Sequence, residues 1–332
     1  MVGHKAHETL TLALTIEGGH LKPDSYNAIS AYASEYGIEA AAEVASFEAA
    51  NVEDAVDVQL STGHQRRIKE GYDKLIAAGL ERTKDTLSVK EKDAEMVILY
   101  VFETQDATGQ YILRTSSGEV RARKVVFATN AYTSSLLPEY KSKIIPYRAV
   151  CSRIKTPGPH PLLTNTYALR FSDWNFDYLI PRLDGSIIVG GARDAYIRLV
   201  DSWYGNVDDT QVIDEARSYF DGYMQRHFHG WEDSGAYVDD IWTGIMGYSS
   251  HRLPRVGPIP GRPDMFIMGG FTGHGMPQIY LCGQAMAKFL LTGASFKGTG
   301  LPRLFEETQA RLEDPRDRVL ELYGSVLSPS KL

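Results

Sequence analysis

Asp264-Met265-Phe266-Ile267-Met268-Gly269-Gly270-Phe271-Thr272-Gly273-His274-Gly275-Met276-Pro277 is the stretch that decides the fold. It begins as a short apolar run of strand length. Four glycines follow between Gly269 and Gly275, and Pro277 then opens a pattern with Ile279, Cys282-Gly283, Met286 and Phe289-Leu290 on one side. Proline at the start and Gly293 just past the end are the punctuation of a helix. A glycine-rich turn between strand and helix directs backbone N–H groups and the positive helix end toward one point, which suits an anion. The missing β-carbons also let a bulky planar ligand approach the backbone. The order is G-x-x-G-x-G rather than G-x-G-x-x-G, so the pyrophosphate of a dinucleotide is not the natural occupant. A ring that becomes anionic on reduction suits it better. The competing reading is a tight corner that binds nothing, with His274 serving to fix its own loop.

Outward from this turn, Lys124-Val125-Val126-Phe127-Ala128-Thr129-Asn130 has the continuous apolar run of a buried parallel strand. It ends in small and polar residues, where an open α/β sheet presents its ligand site. Residues 97–102, 111–114 and 119–122, separated by glycine-containing turns, predict a three-stranded meander. The segment from Tyr178 to Gly191 reads as a hairpin about Asp184-Gly185. Residues 24–79 are mainly helical in pattern, with Val44, Phe47, Asn51-Val52 and Ala55-Val56 on one stripe and a shorter helix over residues 68–78. Residues 208–228 predict one more helix, with Val212, Ala216, Tyr219-Phe220 and Tyr223 on its inner face.

The chain has 332 residues, 35 Lys+Arg against 42 Asp+Glu and a formal net charge of −7. That length corresponds to about two domains at roughly 100–200 residues each. The acidic balance offers no basic stripe, which argues against a nucleic-acid partner. No apolar run reaches the length of a membrane span. Two cysteines, Cys151 and Cys282, are too few for a disulfide framework. His227 and His229, near Glu232 and Asp233, form a solvated helix end more readily than a metal site. Neither a nucleophile elbow nor a phosphate-binding P-loop occurs. The final Ser330-Lys331-Leu332 reads as a peroxisomal import address where it is the free C-terminus, with the peroxisomal import receptor as its partner.

Together these motifs resemble a known family. Residues 126–132, the strands ending in Val189-Gly190-Gly191, residues 242–260 and residues 270–276 are similar to the D-amino-acid-oxidase-like FAD-dependent oxidoreductases, especially the branch around γ-glutamylputrescine oxidase and its fungal relatives. Gly18-Gly19-His20 resembles an early flavin-side loop of that branch. The resemblance covers roughly residues 18–60 and 105–310, with its motifs in the family's order.

The implied fold class is α/β in the broad α+β sense. An incomplete, Rossmann-like FAD-binding domain would be assembled from residues 1–60, 105–140 and 236–332, and an inserted, mostly antiparallel substrate domain from 61–104 and 141–235. By the same resemblance, Gly18, Gly19, His20, Gly269, Gly270, Thr272, Gly273, His274, Gly275 and Met276 would flank the isoalloxazine ring. Ala128, Thr129 and Asn130 would lie on the FAD side of the sheet, and Trp242 and Met246 would line the substrate pocket. The implied reaction oxidises an amine to an imine by hydride transfer to flavin N5, with O2 reduced to H2O2, a product that agrees with the peroxisomal address.

The chain departs from the family at its start. The N-terminal unit bearing G-x-G-x-x-G is missing, Thr15-Ile16-Glu17 replaces an Arg-Asn pair, and a helical segment before the meander is absent. Met246 stands where amino-acid oxidases of the family place a carboxylate-clamping arginine, so an amine or N-substituted amine is expected as substrate. Gly244 stands where some members tether flavin through cysteine, so the FAD is expected to be noncovalent. The alternative is a shortened, catalytically silent member that does not retain FAD. A nicotinamide-dependent dehydrogenase is disfavoured by the missing fingerprint.

Overall fold

The computed structural model describes residues 28–60, 100–106, 108–115, 118–172, 174–182 and 184–327. The expected Gly18-Gly19-His20 loop, the helix over residues 68–78 and the terminal Ser330-Lys331-Leu332 lie outside the described residues. The chain divides into two compact units, mixed in helix and sheet.

The first unit draws on the described residues up to Lys124 and on Pro277–Leu304. Helix α1 (Ala28–Tyr36) turns at Gly37 into α2 (Ile38–Leu60). Of the expected stripe, the side chains of Val52, Ala55 and Val56 lie outside the described residues, while Val44, Phe47 and Asn51 are buried, together with Ala40 and Ala41 at helical spacing. They face α3 (Ile279–Thr292), which buries Cys282, Ala285, Met286 and Phe289. Two polar bonds fix the register, Gln278 Nε2 donating to Glu48 Oε1 at 2.7 Å and the Leu281 amide to Asn51 Oδ1 at 2.9 Å. Gly293 ends α3 in the left-handed conformation, as expected, while the first helical residue is Ile279 rather than Pro277. The meander is present as β1 (Tyr100–Gln105), β2 (Tyr111–Thr115) and β3 (Gly118–Ala122), all antiparallel.

The second unit comprises Val125–Met276 and the described residues from 305 onward. Strand β4 (Val125–Phe127) buries Val125 and Phe127 within a small sheet. It pairs in parallel with β11 (Met265–Gly269), which pairs antiparallel with β10 (Arg255–Pro258). The larger sheet has the order β6 (Tyr167–Arg170), β7 (Phe176–Pro181), β8 (Ile187–Gly191), β5 (Ile144–Lys155), β9 (Tyr237–Ser249), every pair antiparallel. Its hairpin turns at Asp184-Gly185, as the sequence predicts. Helix α4 (Arg318–Leu327) contributes Tyr323 to an aromatic core around Trp203, 5.4 Å away centre to centre.

The helix expected over residues 208–228 is two shorter pieces, a 3-10 turn at Asp214–Phe220 and a helical turn at Tyr223–His227. Gly222, at φ +61°, interrupts them in a left-handed conformation that an α-helix cannot continue. The apolar stripe nevertheless survives the break: Ala216, Phe220, Tyr223 and Met224 are all buried.

Beyond β9, His251 is buried with Nε2 3.1 Å from Asp314 Oδ2. Burial and the nearby guanidinium groups of Arg311, Arg255 and Arg318 push its pKa down to about 3, against the pull of Asp314. The ring is therefore neutral beside the carboxylate. The unfolded chain binds a proton here near pH 6.5 and the folded chain does not, so stability falls as pH drops below about 6.5. The loss expected from this group between about pH 7.5 and 5.5 is about 1 kcal/mol. Urea midpoints across that range should show the slope, and His251→Gln should flatten it. An unchanged slope would contradict the assignment.

Candidate functional site

Asn130 ends the β4 segment at φ +41°, and its Oδ1 accepts the Gly270 amide at 2.9 Å. That bond ties the end of β4 to the glycine turn that follows β11. The Thr272 amide donates to the Gly247 carbonyl at 2.8 Å and the His274 amide to Phe271 at 2.9 Å. Three amides of the turn are thus taken up within the chain. The glycines serve close approach instead. A β-carbon on Gly247 would strike the Asn130 side chain and the Ala131 amide, and one on Gly270 would lie 3.0 Å from Ser249 Cβ. One on Gly273 would lie 3.0 Å from Tyr248 Oη and 3.1 Å from Met246 Sδ.

Strand β9 presents Trp242, Gly244, Met246 and Tyr248 on one face, because side chains alternate along a strand. Cross-strand pairing sets Tyr147 opposite Met246, Ala149 opposite Gly244 and Cys151 opposite Trp242. Cys151 in turn lies opposite Gly190, and Gly190 opposite Tyr178. Small residues at 149 and 244 thus form a floor near Trp242, Tyr147 and Tyr248, while the Tyr178 ring lies directly over Gly190. The same face is half-open, since Phe176, Tyr178, Trp242 and Met246 are only partly buried while their neighbours Asp177, Leu179, Thr243 and Ile245 are buried. The Tyr147 and Tyr248 rings stack at 4.2 Å. Trp242 Nε1 is a buried donor with no acceptor among the described residues.

Over this face stands Arg193, which the sequence reading did not single out. Its Nη2 donates to Tyr248 Oη at 3.3 Å, and its guanidinium lies 4.6 Å from the centre of the Phe176 ring and 5.9 Å from that of Tyr147. The turn that presents it is built by Asp177. One carboxylate oxygen accepts the Ala192 amide at 2.9 Å, and the other accepts the hydroxyls of Tyr219 at 2.6 Å and Tyr223 at 2.8 Å. Ala192 is held at φ +57° and Gly191 at φ +141°.

Of the expected site residues that are described, Asn130, Gly269, Gly270, Thr272, Gly273 and Met246 come together around Tyr248 and Gly247. Ala128 and Thr129 continue from β4, with Thr129 Oγ1 3.0 Å from Thr133 Oγ1. Trp242 sits two pleats along the Met246 face. Gly275 and Met276 close the same turn. Among the described residues, three of the five non-glycine positions at positive φ, Asn130, Ala192 and Thr272, belong to this one region. Such strained backbone gathers at functional sites.

A family model described as FAD dependent oxidoreductase matches residues 98–289, more than half of the chain. The chain belongs to the FAD-dependent oxidoreductase family. Gamma-glutamylputrescine oxidoreductase of Escherichia coli is 23% identical over 183 residues, which are 54% of this chain and 39% of that protein. A probable oxidoreductase, OrdL, of Rhizobium meliloti is 23% identical over 185 residues, 55% of this chain and 39% of the relative. The chain thus spans about two fifths of the length of the curated relatives it matches. Among solved structures, glycine oxidase from Geobacillus kaustophilus is 20% identical with a TM-score of 0.47, covering 64% of this chain and 52% of that one.

The family implies FAD. The half-open aromatic face, its floor of small residues and the unpartnered Trp242 N–H fit a planar heteroaromatic ring. None of the described helices is long and apolar enough to cross a membrane.

Proposed function

We propose that the chain carries the ring-facing and substrate-facing part of an FAD-dependent amine oxidase, acting on an amine or N-substituted amino compound. FAD, when bound, supplies the hydride acceptor for the amine's α-carbon and passes the electrons to O2, giving an imine and H2O2. The observation that carries this reading is the convergence on Tyr248 of the glycine turn, Met246 and Arg193. These are the elements that would hold a ring and a substrate against each other. Gly270, Thr272, Gly273, His274, Gly275 and Met276 would border the ring, with Asn130 fixing their turn. Ala149 and Gly244 leave room for the reacting carbon, and the surrounding rings exclude water.

The state of the thiols supports noncovalent attachment. Burial pushes the Cys151 thiol up to about 12, and Cys282 is raised further by its own burial, so neither supplies a thiolate to a flavin. Met246 brings no charge to the pocket, which supports an amine over a simple α-amino acid held at that position.

The test is anaerobic addition of amines to the FAD-loaded protein. Bleaching of the oxidised flavin spectrum by primary or secondary amines, and peroxide on admitting air, is the expected result. A flavin spectrum indifferent to every amine at high concentration would contradict the reading.

A further inference from the structure

We propose that Tyr248, Tyr147, Trp203 and Tyr204 form a relay that carries a one-electron oxidising equivalent from the candidate site toward the protein surface, where Asp317 takes the proton. The relay goes beyond the function proposed above and does not depend on it, because it is set by the protein's own rings. Three observations carry it.

First, the rings are continuous. Tyr248 stands at the site, since a β-carbon on Gly273 would lie 3.0 Å from its hydroxyl. Its ring stacks on Tyr147 with centres 4.2 Å apart, Tyr147 reaches Trp203 at 4.8 Å, and Trp203 meets Tyr204 edge-on at 5.7 Å. Electron tunnelling falls exponentially with distance, so touching rings exchange an electron far faster than separated ones. Backbone pairing fixes the far end: Tyr147 and Tyr204 form an antiparallel bridge, and the Gly205 amide donates to the Pro146 carbonyl at 2.8 Å.

Second, the charges slope outward. The Arg193 guanidinium donates to Tyr248 Oη at 3.3 Å and lies 5.9 Å from the centre of the Tyr147 ring. A cation opposes removal of an electron from either ring. At the other end the Tyr204 hydroxyl donates to Asp317 Oδ2, and the carboxylate favours that removal. An electron vacancy therefore moves from Tyr248 to Tyr204.

Third, the outer end has a fixed base. Asp317 Oδ1 accepts the amides of Val319 and Leu320 at 3.0 and 3.1 Å, at the start of α4, which leaves Oδ2 facing Tyr204. In the resting protein, burial and the adjacent carboxylate hold the Tyr204 hydroxyl protonated well above its ordinary range. An oxidised phenol is a strong acid, so its proton crosses to Asp317 when the electron leaves. Tyr204 and Asp317 are both half-buried, within reach of reductants in solution.

An oxidant of the hydroxyl-radical class, formed from peroxide beside the site, takes one electron from Tyr248 and becomes hydroxide. One electron then passes inward at each ring, leaving Tyr204 a neutral radical and Asp317 protonated. A thiol or ascorbate in solution returns a hydrogen atom to Tyr204, and Asp317 releases its proton to water. The oxidant is thereby drawn away from side chains at the site such as Met246, whose thioether would otherwise go to the sulfoxide.

The test places the oxidant at the inner end of the relay in the full chain. Met246→Cys adds one thiol on the half-open face, while Cys151 and Cys282 are both buried, so a thiol-reactive ruthenium tris-bipyridine label attaches there. After a flash with persulfate as electron acceptor, electron paramagnetic resonance should show a tyrosyl radical, and Tyr204→Phe should cut its yield at least about tenfold. Tyr147→Phe and Trp203→Phe should each slow its appearance at least about tenfold in transient absorbance. Asp317→Asn keeps an oxygen for the α4 amides but offers no base, and should slow the radical by about tenfold or more. If Trp203→Phe fails to fold, Tyr147→Phe and Tyr204→Phe decide. Equal yield and rate in those two variants would overturn the relay. So would a radical that settles on Trp174 by way of Tyr323, which lies 5.4 Å from Trp203 and 6.0 Å from Trp174. Because the flash supplies the oxidant, a radical at Tyr204 in a protein that oxidises no amine would sink the oxidase reading and leave the relay standing.

Discussion

Glu307→Ala should destabilise the protein by about 3–5 kcal/mol, the cost of leaving a buried guanidinium without its partner. Arg255 and Glu307 are both fully buried, and Arg255 Nη1 meets both carboxylate oxygens at 2.9 Å. The remaining bonds of the cluster converge on the same pair. Tyr140 donates to Glu307 Oε1 at 3.1 Å, and Arg255 Nη2 donates to Ser250 Oγ and to the Arg311 carbonyl, each at 3.2 Å. Arg255 lies opposite Gly269 in the β10–β11 ladder, so the cluster anchors the strand from which the glycine turn departs. A domain's whole stability is about 5–15 kcal/mol, so the single variant should be largely unfolded or insoluble at body temperature. The double variant Arg255→Met with Glu307→Leu removes both charges and should recover most of the loss. Urea midpoints for the three proteins check this. Equal loss in the single and double variants would show that packing, not the orphaned charge, sets the cost.

Gly191→Ala should cost about 2–4 kcal/mol and disable the Arg193 turn at the same time. A β-carbon there runs directly into Asp177 Oδ1, and the backbone sits at φ +141°, outside the range an alanine adopts readily. The carboxylate cannot retreat, because its other oxygen is held by Tyr219 and Tyr223. Asp177→Asn should cost less, since the amide oxygen still accepts the Ala192 amide. Thermal midpoints distinguish the two, and a Gly191→Ala protein as stable as wild type would refute the tight-turn account.

The elements legible in the sequence are those whose environment matches a local pattern. The run Val125-Val126-Phe127 reads as a parallel strand because both faces of such strands are buried, and it does pair in parallel with the strand read over Met265-Phe266-Ile267-Met268. Gly293 and the Asp184-Gly185 turn announce themselves through residue chemistry alone. The helix expected over residues 208–228 failed because an apolar stripe at helical spacing is equally served by two short turns broken at Gly222. The site was legible in part. The glycine turn is visible as a string, but its amides are taken by Asn130 and Gly247, groups more than a hundred residues and about twenty-five residues away in sequence. Arg193 was missed for the same reason. Gly190-Gly191 before it signals a close approach, yet the rings that surround the guanidinium come from β5, β7 and β9, and only the strand order brings them together.

Whether these residues hold FAD is read from the visible absorbance of the full chain after incubation with FAD and desalting. The expected result is a retained flavin spectrum, released on denaturation and therefore noncovalent, with tryptophan fluorescence quenched on binding. A colourless protein after desalting, with its fold intact by circular dichroism, would contradict the claim.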